Sequence, residues 1–214
     1  MTMCRIAACL TLVAGTMLAQ NAKIPGWLLA GDNPAAYAAG LDSEVKHSGN
    51  NSAAVGCALG KCRGFATLMQ AIQADRYRGS RVRLTAWVKA SKVDMANLWM
   101  RVDGAGATLA LDNMRFHRAH GTFDWRQQQI VLDVPDIGFT IHYGLIVAGA
   151  GQAWVDDFTL EAVDKHVKTT NALRKPAPAP NRPSEEQFEK LPSLPFNTDF
   201  EQPPGTAPAA LRNP

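Results

Sequence analysis

Strict alternation of apolar and polar residues is the clearest pattern along this chain. In residues 81–90, apolar side chains recur at every second position, and Trp87 falls among the polar positions between them. Residues 97–102 repeat the pattern, with Trp99 and Arg101 again on the polar side. A period of two residues is typical of a half-buried β-strand. The pattern therefore predicts two strands, each with a tryptophan on its polar face.

Further strands are predicted between short turn signals, which lie at residues 77–80, 103–106, 135–138 and 149–151. The intervening segments predict strands at residues 108–114, 127–134, 139–147 and 152–162, whereas residues 66–75 fit either a short helix or a strand. No helical pattern alternates with these strands, as a parallel α/β sheet would require. The predicted fold class is all-β, an antiparallel β-sandwich.

Composition divides the chain of 214 residues into a folded core and a tail. All five Trp lie between Trp27 and Trp154, and ten of the 13 Pro lie between Pro176 and Pro214. We therefore predict a sandwich over residues 23–163 and a disordered, flexible Pro-rich tail over residues 164–214. A core of about 140 residues suffices for one sandwich and is too short for a β/α barrel. The net charge of +3, with both signs mixed, gives no indication of a nucleic-acid partner.

Residues 1–22 have the pattern of a secretory signal peptide. Arg5 is the only charged residue before Lys23, and residues 6–19 form an apolar stretch of 14. That stretch is too short to span a bilayer unaided. The pattern predicts a secreted or periplasmic protein with no stable membrane span after signal cleavage. Two alternatives are a buried core helix and a lipoprotein signal ending at Cys9.

Two cysteines, Cys57 and Cys62, follow the predicted signal peptide. In an oxidising compartment, a pair this close in sequence predicts a disulfide across a small loop. Closing so short a loop would contribute about 2 kcal/mol to stability. A zinc site would need two further ligands, and no metal-binding motif elsewhere supplies them. The alternative is a pair of free thiols.

Two stretches resemble a known family. They are residues 64–89, which include VRLTAWVK, and residues 154–160, WVDDFTL. Both resemble the galactose-binding-like jelly-roll domain of bacterial carbohydrate-binding modules, and the resemblance covers residues 25–163. It implies a jelly-roll sandwich and carbohydrate binding; similar domains accompany secreted bacterial enzymes and some regulatory proteins. Residues 197–201, NTDFE, resemble the opening of the same module type, either as a remnant of a second module or by chance.

The predicted ligand-binding residues lie on the polar positions of the two tryptophan-bearing strands and the turn that follows: Arg83, Trp87, Trp99, Arg101 and Asp103. An indole ring stacks on the apolar face of a pyranose, and charged groups hydrogen-bond its hydroxyls. These residue types on one exposed face predict a sugar site. The alternative is that a loop covers both tryptophans as secondary core.

Asp156 and Asp157 are the predicted metal ligands. They stand between apolar residues of the last predicted strand. The resemblance implies that an acidic residue at this place can hold a structural calcium ion, which favours carboxylate and carbonyl oxygens. The alternative is that one aspartate caps the turn and pairs with an arginine. No other cofactor is predicted.

Two further groups of residues have both a functional and a structural interpretation. Arg76, Arg78, Arg81 and Arg83 fall within eight residues and fit either an acidic polysaccharide or anionic lipid, or a solvated turn. His117 and His120 have the spacing of a metal-binding pair but lack an evident third ligand, so loop histidines are the alternative.

The sequence predicts no enzyme. It contains no GxSxG, no HExxH and no Cys beside a His, and its carboxylates are scattered over strand ends and turns. The leading interpretation is a secreted, non-catalytic carbohydrate-binding-like module whose partner is a glycan. The alternative is an envelope domain for protein interaction or sensing that binds no sugar. A flat exposed patch would favour the protein partner, and a groove would favour the sugar.

Overall fold

A computed structural model describes residues 24–173, 175–179, 184–203 and 205–206 of the chain. Alternating and small-residue segments within these ranges form β-strands, and one five-residue helix follows them. The elements are β1 (Leu28–Gly31), β2 (Tyr37–Asp42), β3 (Ser52–Cys57), β4 (Phe65–Gln73), β5 (Arg81–Val93), β6 (Met95–Asp103), β7 (Ala107–Asp112), β8 (Gly121–Asp133), β9 (Thr140–Ala148), β10 (Gln152–Val163), β11 (Ala177–Pro178) and α1 (Glu185–Glu189).

The strands form two antiparallel sheets packed face to face. One sheet has six strands in the order β1-β4-β9-β6-β7-β11, and the other has five in the order β2-β3-β10-β5-β8. The predicted antiparallel jelly-roll sandwich is confirmed. Residues 66–75, which fitted a helix or a strand, form β4. β8 begins at Gly121, earlier than the predicted residue 127, because it is an edge strand whose first half is largely exposed and polar.

The core lies between the sheets and uses the apolar positions of the alternating pattern. In β5 these positions are fully buried from Val82 to Val88, and in β6 the same holds for Leu98, Met100 and Val102. Polar positions of both strands face away from the core. β2 and β3 were missed by periodicity because small residues fill them on both faces, where they are buried without alternation.

The prediction of a flexible tail is wrong for residues 188–201, here called the strap, which packs against the sandwich. Phe200 is fully buried, with its ring 5.2 Å from that of Trp27. The Trp27 Nε1–H donates to the Asn197 carbonyl at 2.9 Å, and the Phe158 N–H donates to the Thr198 carbonyl at 2.9 Å. The NTDFE sequence of the strap therefore completes this sandwich.

The structure bears on three other features: the disulfide, the signal peptide and membrane-spanning helices. Cys57 and Cys62 form the predicted disulfide, with their Cα atoms 5.8 Å apart. The predicted signal peptide, residues 1–22, lies outside the described residues. None of the helices within the described ranges has the length and apolarity needed to cross a bilayer.

Candidate functional site on the outer sheet faces

Trp87 and Trp99 lie on opposite outer faces of the sandwich, so the predicted single aromatic face is wrong. Trp87 belongs to β5 of the five-stranded sheet, and Trp99 belongs to β6 of the six-stranded sheet. Both side chains point away from the core, as their polar positions predict. Alternation determines which side of a strand a residue takes, but it does not determine which sheet the strand joins.

On the six-stranded face, the Trp99 ring is largely buried and is not exposed for stacking on a sugar. It is only 8% exposed, and its Nε1–H donates to the Thr67 hydroxyl at 2.7 Å. The Arg101 guanidinium lies 6.0 Å from the centre of its ring. Gly144 of β9 stands opposite Trp99 in the register, where the backbone of β4 at Leu68 and Met69 leaves no room for a side chain.

Arg101 and Asp103 form a pair next to this ring. Arg101 Nε donates to Asp103 Oδ2 at 2.8 Å, and the Thr108 hydroxyl donates to Asp103 Oδ1 at 2.8 Å. The Asp103 side chain is 5% exposed and that of Arg101 is 20% exposed. The carboxylate is thus anchored, while part of the guanidinium faces solvent and is accessible to a ligand.

His142 of β9 completes this cluster, and its register places it beside Arg101. Its Nε2 lies 3.0 Å from the Thr140 hydroxyl and 3.5 Å from Asp103 Oδ2. Burial, with help from the Arg101 charge and against that of Asp103, lowers the pKa of His142 to about 4. At neutral pH the imidazole is therefore uncharged, and its contact with Asp103 is no ion pair.

The buried Nδ1 of His142 has no hydrogen-bond partner among the described residues. A buried polar atom left unpaired is unfavourable, and such an atom often marks a place for a ligand or water. Sequence reasoning missed His142, although alternation along the predicted strand at residues 139–147 puts it on the polar side. Residues Trp99, Arg101, Asp103 and His142 are called the sheet-face cluster below.

On the five-stranded face, the loop at residues 43–51 covers Trp87. The His47 ring stacks on Trp87 with centroids 4.0 Å apart and planes 13° apart, and it meets Trp125 edge-on at 5.7 Å. His47 Nδ1 lies 2.7 Å from Asp157 Oδ2. Trp87 is therefore capped by the loop, as the structural alternative predicts, and His47 and Trp125 are additional residues that sequence reasoning missed.

Three of the four clustered arginines are already paired with carboxylates. Arg78 pairs with Asp75 at 2.6 Å, Arg81 with Asp133 at 2.8 Å, and Arg83 with Glu161 at 2.5 Å. Arg83, one of the predicted ligand-binding residues, lies on the five-stranded face, far in the topology from Arg101. The arrangement favours the solvated-turn interpretation of this run over an anionic partner.

The surroundings of Asp156 and Asp157 do not fit the predicted calcium site. Asp156 is fully buried, and its Oδ2 accepts the N–H groups of His47 at 3.0 Å and Ser48 at 3.1 Å. Asp157 accepts the Ser48 hydroxyl at 2.7 Å as well as His47. Hydrogen-bond donors thus point at the oxygens that calcium would need. Among the described residues no group of three or more His, Cys, Asp or Glu could hold a metal.

Comparison with known proteins adds one sequence relative. The chain is 39% identical over 171 residues to the uncharacterized HTH-type transcriptional regulator YbfP of Bacillus subtilis strain 168. The match includes 78% of this chain and 58% of that protein, so the chain spans little more than half the length of its relative. No protein-family model matches the chain.

Three solved structures resemble this chain at low sequence identity. The enzymatically active domain of tailspike protein 4 from bacteriophage CBA120 superposes with a TM-score of 0.50 and 16% identity, over 66% of this chain and 20% of that one. The carbohydrate-binding module TmCBM61, solved with β-1,4-galactotriose, has a TM-score of 0.48 at 16% identity, over 66% of this chain and 92% of that module. The CBM22-1 xylan-binding domain of Paenibacillus barcinonensis Xyn10C has a TM-score of 0.48 at 18% identity, over 65% of this chain and 86% of that domain.

At these identities the similarity concerns the fold alone. The tailspike domain shares the fold of this chain, and the two carbohydrate-binding modules superpose with lower TM-scores. By its own two sheets this chain is an antiparallel jelly-roll sandwich, with a polar cluster beside a tryptophan on one outer face.

Proposed function

We propose that this chain is a non-catalytic carbohydrate-binding module whose ligand contacts the sheet-face cluster. The observation that carries the proposal is the buried, unpaired His142 Nδ1 beside the partly exposed Arg101. A sugar hydroxyl can accept a hydrogen bond from the guanidinium, and a small shift of the His142 side chain, which is 15% exposed, would let its unpaired nitrogen accept a second one. Trp99 supplies an apolar surface beside the guanidinium.

The test compares one arginine on each outer face. Arg101→Gln and Arg83→Gln make the same chemical change, and only Arg101 belongs to the sheet-face cluster. A glycan array of the wild-type protein would identify a ligand, and calorimetric titration would then measure its affinity for each variant. We expect Arg101→Gln to weaken binding about tenfold to a hundredfold, in line with about 1.4–3 kcal/mol for a charged hydrogen bond. Arg83→Gln should leave the affinity unchanged.

Folding must be separated from binding in this comparison, because Arg101→Gln leaves the Asp103 carboxylate buried without its partner. His142→Asn provides the second variant, since it removes the imidazole without removing a charge at neutral pH. Both variants should retain the wild-type circular dichroism spectrum. Equal affinities of both folded variants and wild type would contradict the sheet-face cluster as the site. The absence of any glycan ligand would contradict carbohydrate binding altogether.

A second candidate function is ligand sensing, which the 39% identity to a named transcriptional regulator favours. A sensing module would take small soluble saccharides, whereas a module that attaches to polysaccharide would prefer long chains. Titration with mono- and disaccharides beside pull-down on insoluble polysaccharide separates the two. Capture of an envelope protein in the absence of any saccharide ligand would favour the interaction alternative instead.

We further propose that the protein is exported, as residues 1–22 predict. The Cys57–Cys62 disulfide supports this proposal, because disulfides persist in oxidising compartments. The test is mass spectrometry of the protein recovered from the periplasm and the medium of an expressing bacterium. A mature mass that begins near Lys23 is expected, and full-length protein confined to the cytoplasm would contradict export.

A further inference from the structure

One side of the sandwich, between the edges of β7 and β8, is only partly closed. Residues 170–172 bridge the two strands there. The Thr170 N–H donates to the Val131 carbonyl at 2.8 Å, and the Ala172 N–H donates to the Leu111 carbonyl at 2.8 Å. Next to this bridge, two clefts of about 340 Å³ and 270 Å³ flank His117. They are called the edge clefts below.

The loop that forms one wall of the edge clefts is fixed by a buried side chain. Asn97 is fully buried, and its Oδ1 accepts the Ala119 N–H at 2.8 Å while its Nδ2 donates to the Asn113 carbonyl at 3.2 Å. Within the loop, the His117 N–H donates to the Met114 carbonyl at 2.8 Å. The wall is therefore ordered before any ligand arrives, which reduces the entropy lost on binding.

The edge clefts carry three cationic side chains that form no ion pair with a described carboxylate. Arg118 and Arg126 line the smaller cleft, and Lys168 lines the larger one. None of the three forms an ion pair with a described residue, in contrast to Arg78, Arg81, Arg83 and Arg101. Cation–π contact holds the Arg126 guanidinium 3.8 Å from the Phe123 ring.

Acidic groups contribute little to the edge clefts. Asp112 is the one acidic residue among the described residues that line them, and it is 7% exposed. Its Oδ1 accepts the Met114 N–H at 2.7 Å, so it holds the loop. The net field in the clefts is therefore positive and attracts anions.

Neutral polar groups and an exposed ring surround these cations. Gln127 and Gln129 are among the residues that line the clefts, and their side chains form no hydrogen bond with a described side chain or backbone group. Because the Val131 N–H and carbonyl face the open edge, the backbone groups of Gln129 and Gln127, two and four residues away, face the same edge. Phe116 at the rim is 73% exposed, and Arg115 lies 4.6 Å from its ring centre.

We propose that the edge clefts bind an oligosaccharide that carries carboxylate groups. Arg118 and Arg126 would bind the carboxylates, the glutamine amides would bind hydroxyls, and Phe116 would stack on a pyranose ring. A carboxylated sugar is the ligand that uses all three kinds of group at once. The site is distinct from the sheet-face cluster, and it rests on the proposed function only for the class of ligand.

The experiment titrates the protein with a galacturonic acid trisaccharide and, in parallel, with a neutral galactose trisaccharide. The test variant is Arg118→Gln/Arg126→Gln. The control is Arg63→Gln/Arg76→Gln, which removes the same charge from two exposed arginines that lie outside the clefts and have no ion pair with a described residue. We expect the test variant to lose at least about tenfold in affinity for the acidic trisaccharide, while the control stays within about twofold. Binding should weaken between about 50 mM and 500 mM salt.

The neutral trisaccharide separates this proposal from the proposed function, because Arg118→Gln/Arg126→Gln should leave its binding unchanged, whereas Arg101→Gln should weaken it. Phe116→Ala should weaken binding of the acidic trisaccharide by about threefold to tenfold through loss of stacking. The proposal is overturned if the acidic trisaccharide does not bind at low salt or if test and control variants lose affinity equally. It is also overturned if inorganic sulfate binds as tightly as the trisaccharide, because the clefts would then select charge alone.

Discussion

At the residue scale, two buried side chains titrate in opposite directions. Burial, opposed by the His47 and Ser48 N–H groups and aided by the Asp157 charge, raises the pKa of Asp156 from 3.8 to about 6. Burial beside Arg101 lowers the pKa of His142 from 6.5 to about 4. The two residues are on different sheets, so each can be changed without altering the surroundings of the other.

These opposite shifts predict two contributions to the pH dependence of stability that offset each other in the wild-type protein. The raised pKa of Asp156 means that the folded state binds the extra proton, so this residue makes the unfolding free energy fall from about pH 4 to about pH 6. The lowered pKa of His142 means that the unfolded state binds the extra proton. His142 therefore makes the unfolding free energy rise from about pH 4 to pH 6.5.

Single variants should reveal each contribution. We expect the unfolding free energy of Asp156→Asn to rise with pH across this interval, relative to wild type, and that of His142→Asn to fall. Each change should be on the order of 2–3 kcal/mol over the interval. Urea denaturation at a series of pH values measures both. Parallel curves for wild type and the two variants would show that neither group has the shifted pKa.

At the element scale, the strap is the feature that sequence patterning misjudged. Its proline content is that of a spacer, yet its carbonyls accept hydrogen bonds from Trp27 and Phe158. Glu201 accepts the N–H groups of Asn50 at 2.6 Å and Asn51 at 2.9 Å, which lowers its pKa and fastens the loop before β3. A few well-placed polar contacts thus fasten a segment whose three Phe and two Leu supply apolar side chains.

Phe200→Ala is expected to lower the unfolding free energy by about 3–5 kcal/mol, because it empties a fully buried site among Trp27 and Phe158. Phe116→Ala is the matched control, since that ring is 73% exposed and its loss should change stability by less than about 0.5 kcal/mol. Chemical denaturation of the three proteins measures the difference. Equal stability of the Phe200 variant and wild type would mean that the strap does not pack in solution.

The Cys57–Cys62 disulfide follows β3 and closes a loop that carries the exposed Leu59. We expect Cys57→Ser/Cys62→Ser to lower the unfolding free energy by about 2 kcal/mol, because the open loop has more conformations in the unfolded chain. Thermal unfolding with and without reductant gives the same comparison in the wild-type protein. A melting temperature that reductant leaves unchanged would contradict a stabilising disulfide.

At the scale of the whole molecule, the folded unit extends past the predicted boundary at residue 163. Beyond that boundary, β11 pairs with β7, Thr170 bridges to β8, and the strap fills one end of the core. The predicted core length of about 140 residues is therefore too short.

A chain that ends after Val163 should consequently unfold at a lower temperature than the full chain and bind a hydrophobic dye, because Trp27 and Phe158 lose their cover. A chain that ends after Thr206 keeps every contact named above and should match the full chain. Differential scanning calorimetry and dye fluorescence measure both truncations. Identical melting temperatures of the full chain and the chain that ends after Val163 would mean that the folded unit ends at residue 163, as the sequence predicts.

The sequence predicts the features of the candidate site that depend on residues close together along the chain, and it misses those that depend on residues from distant strands. Alternation within a strand placed Trp87, Trp99 and Arg101 on polar faces, since only the neighbouring residues decide that property. Alternation could not show that β5 and β6 belong to different sheets. The prediction therefore placed Trp87 and Trp99 on one face, although they lie on opposite faces of the sandwich. His142 was overlooked because its importance comes from Arg101 and Asp103 on the adjacent strand.

The sequence by itself determined the all-β class, most strand positions, the inward set of apolar residues and the disulfide pair, because these follow from period-two patterning and from short spacing along the chain. The tertiary structure alone decided which strands share a sheet, that a loop caps Trp87, and that the strap joins the core. It also decided that Arg118 and Arg126 form no ion pair with a described carboxylate. Those properties depend on long-range contacts, whose partners lie far apart in the sequence and become neighbours only when the sheets pack.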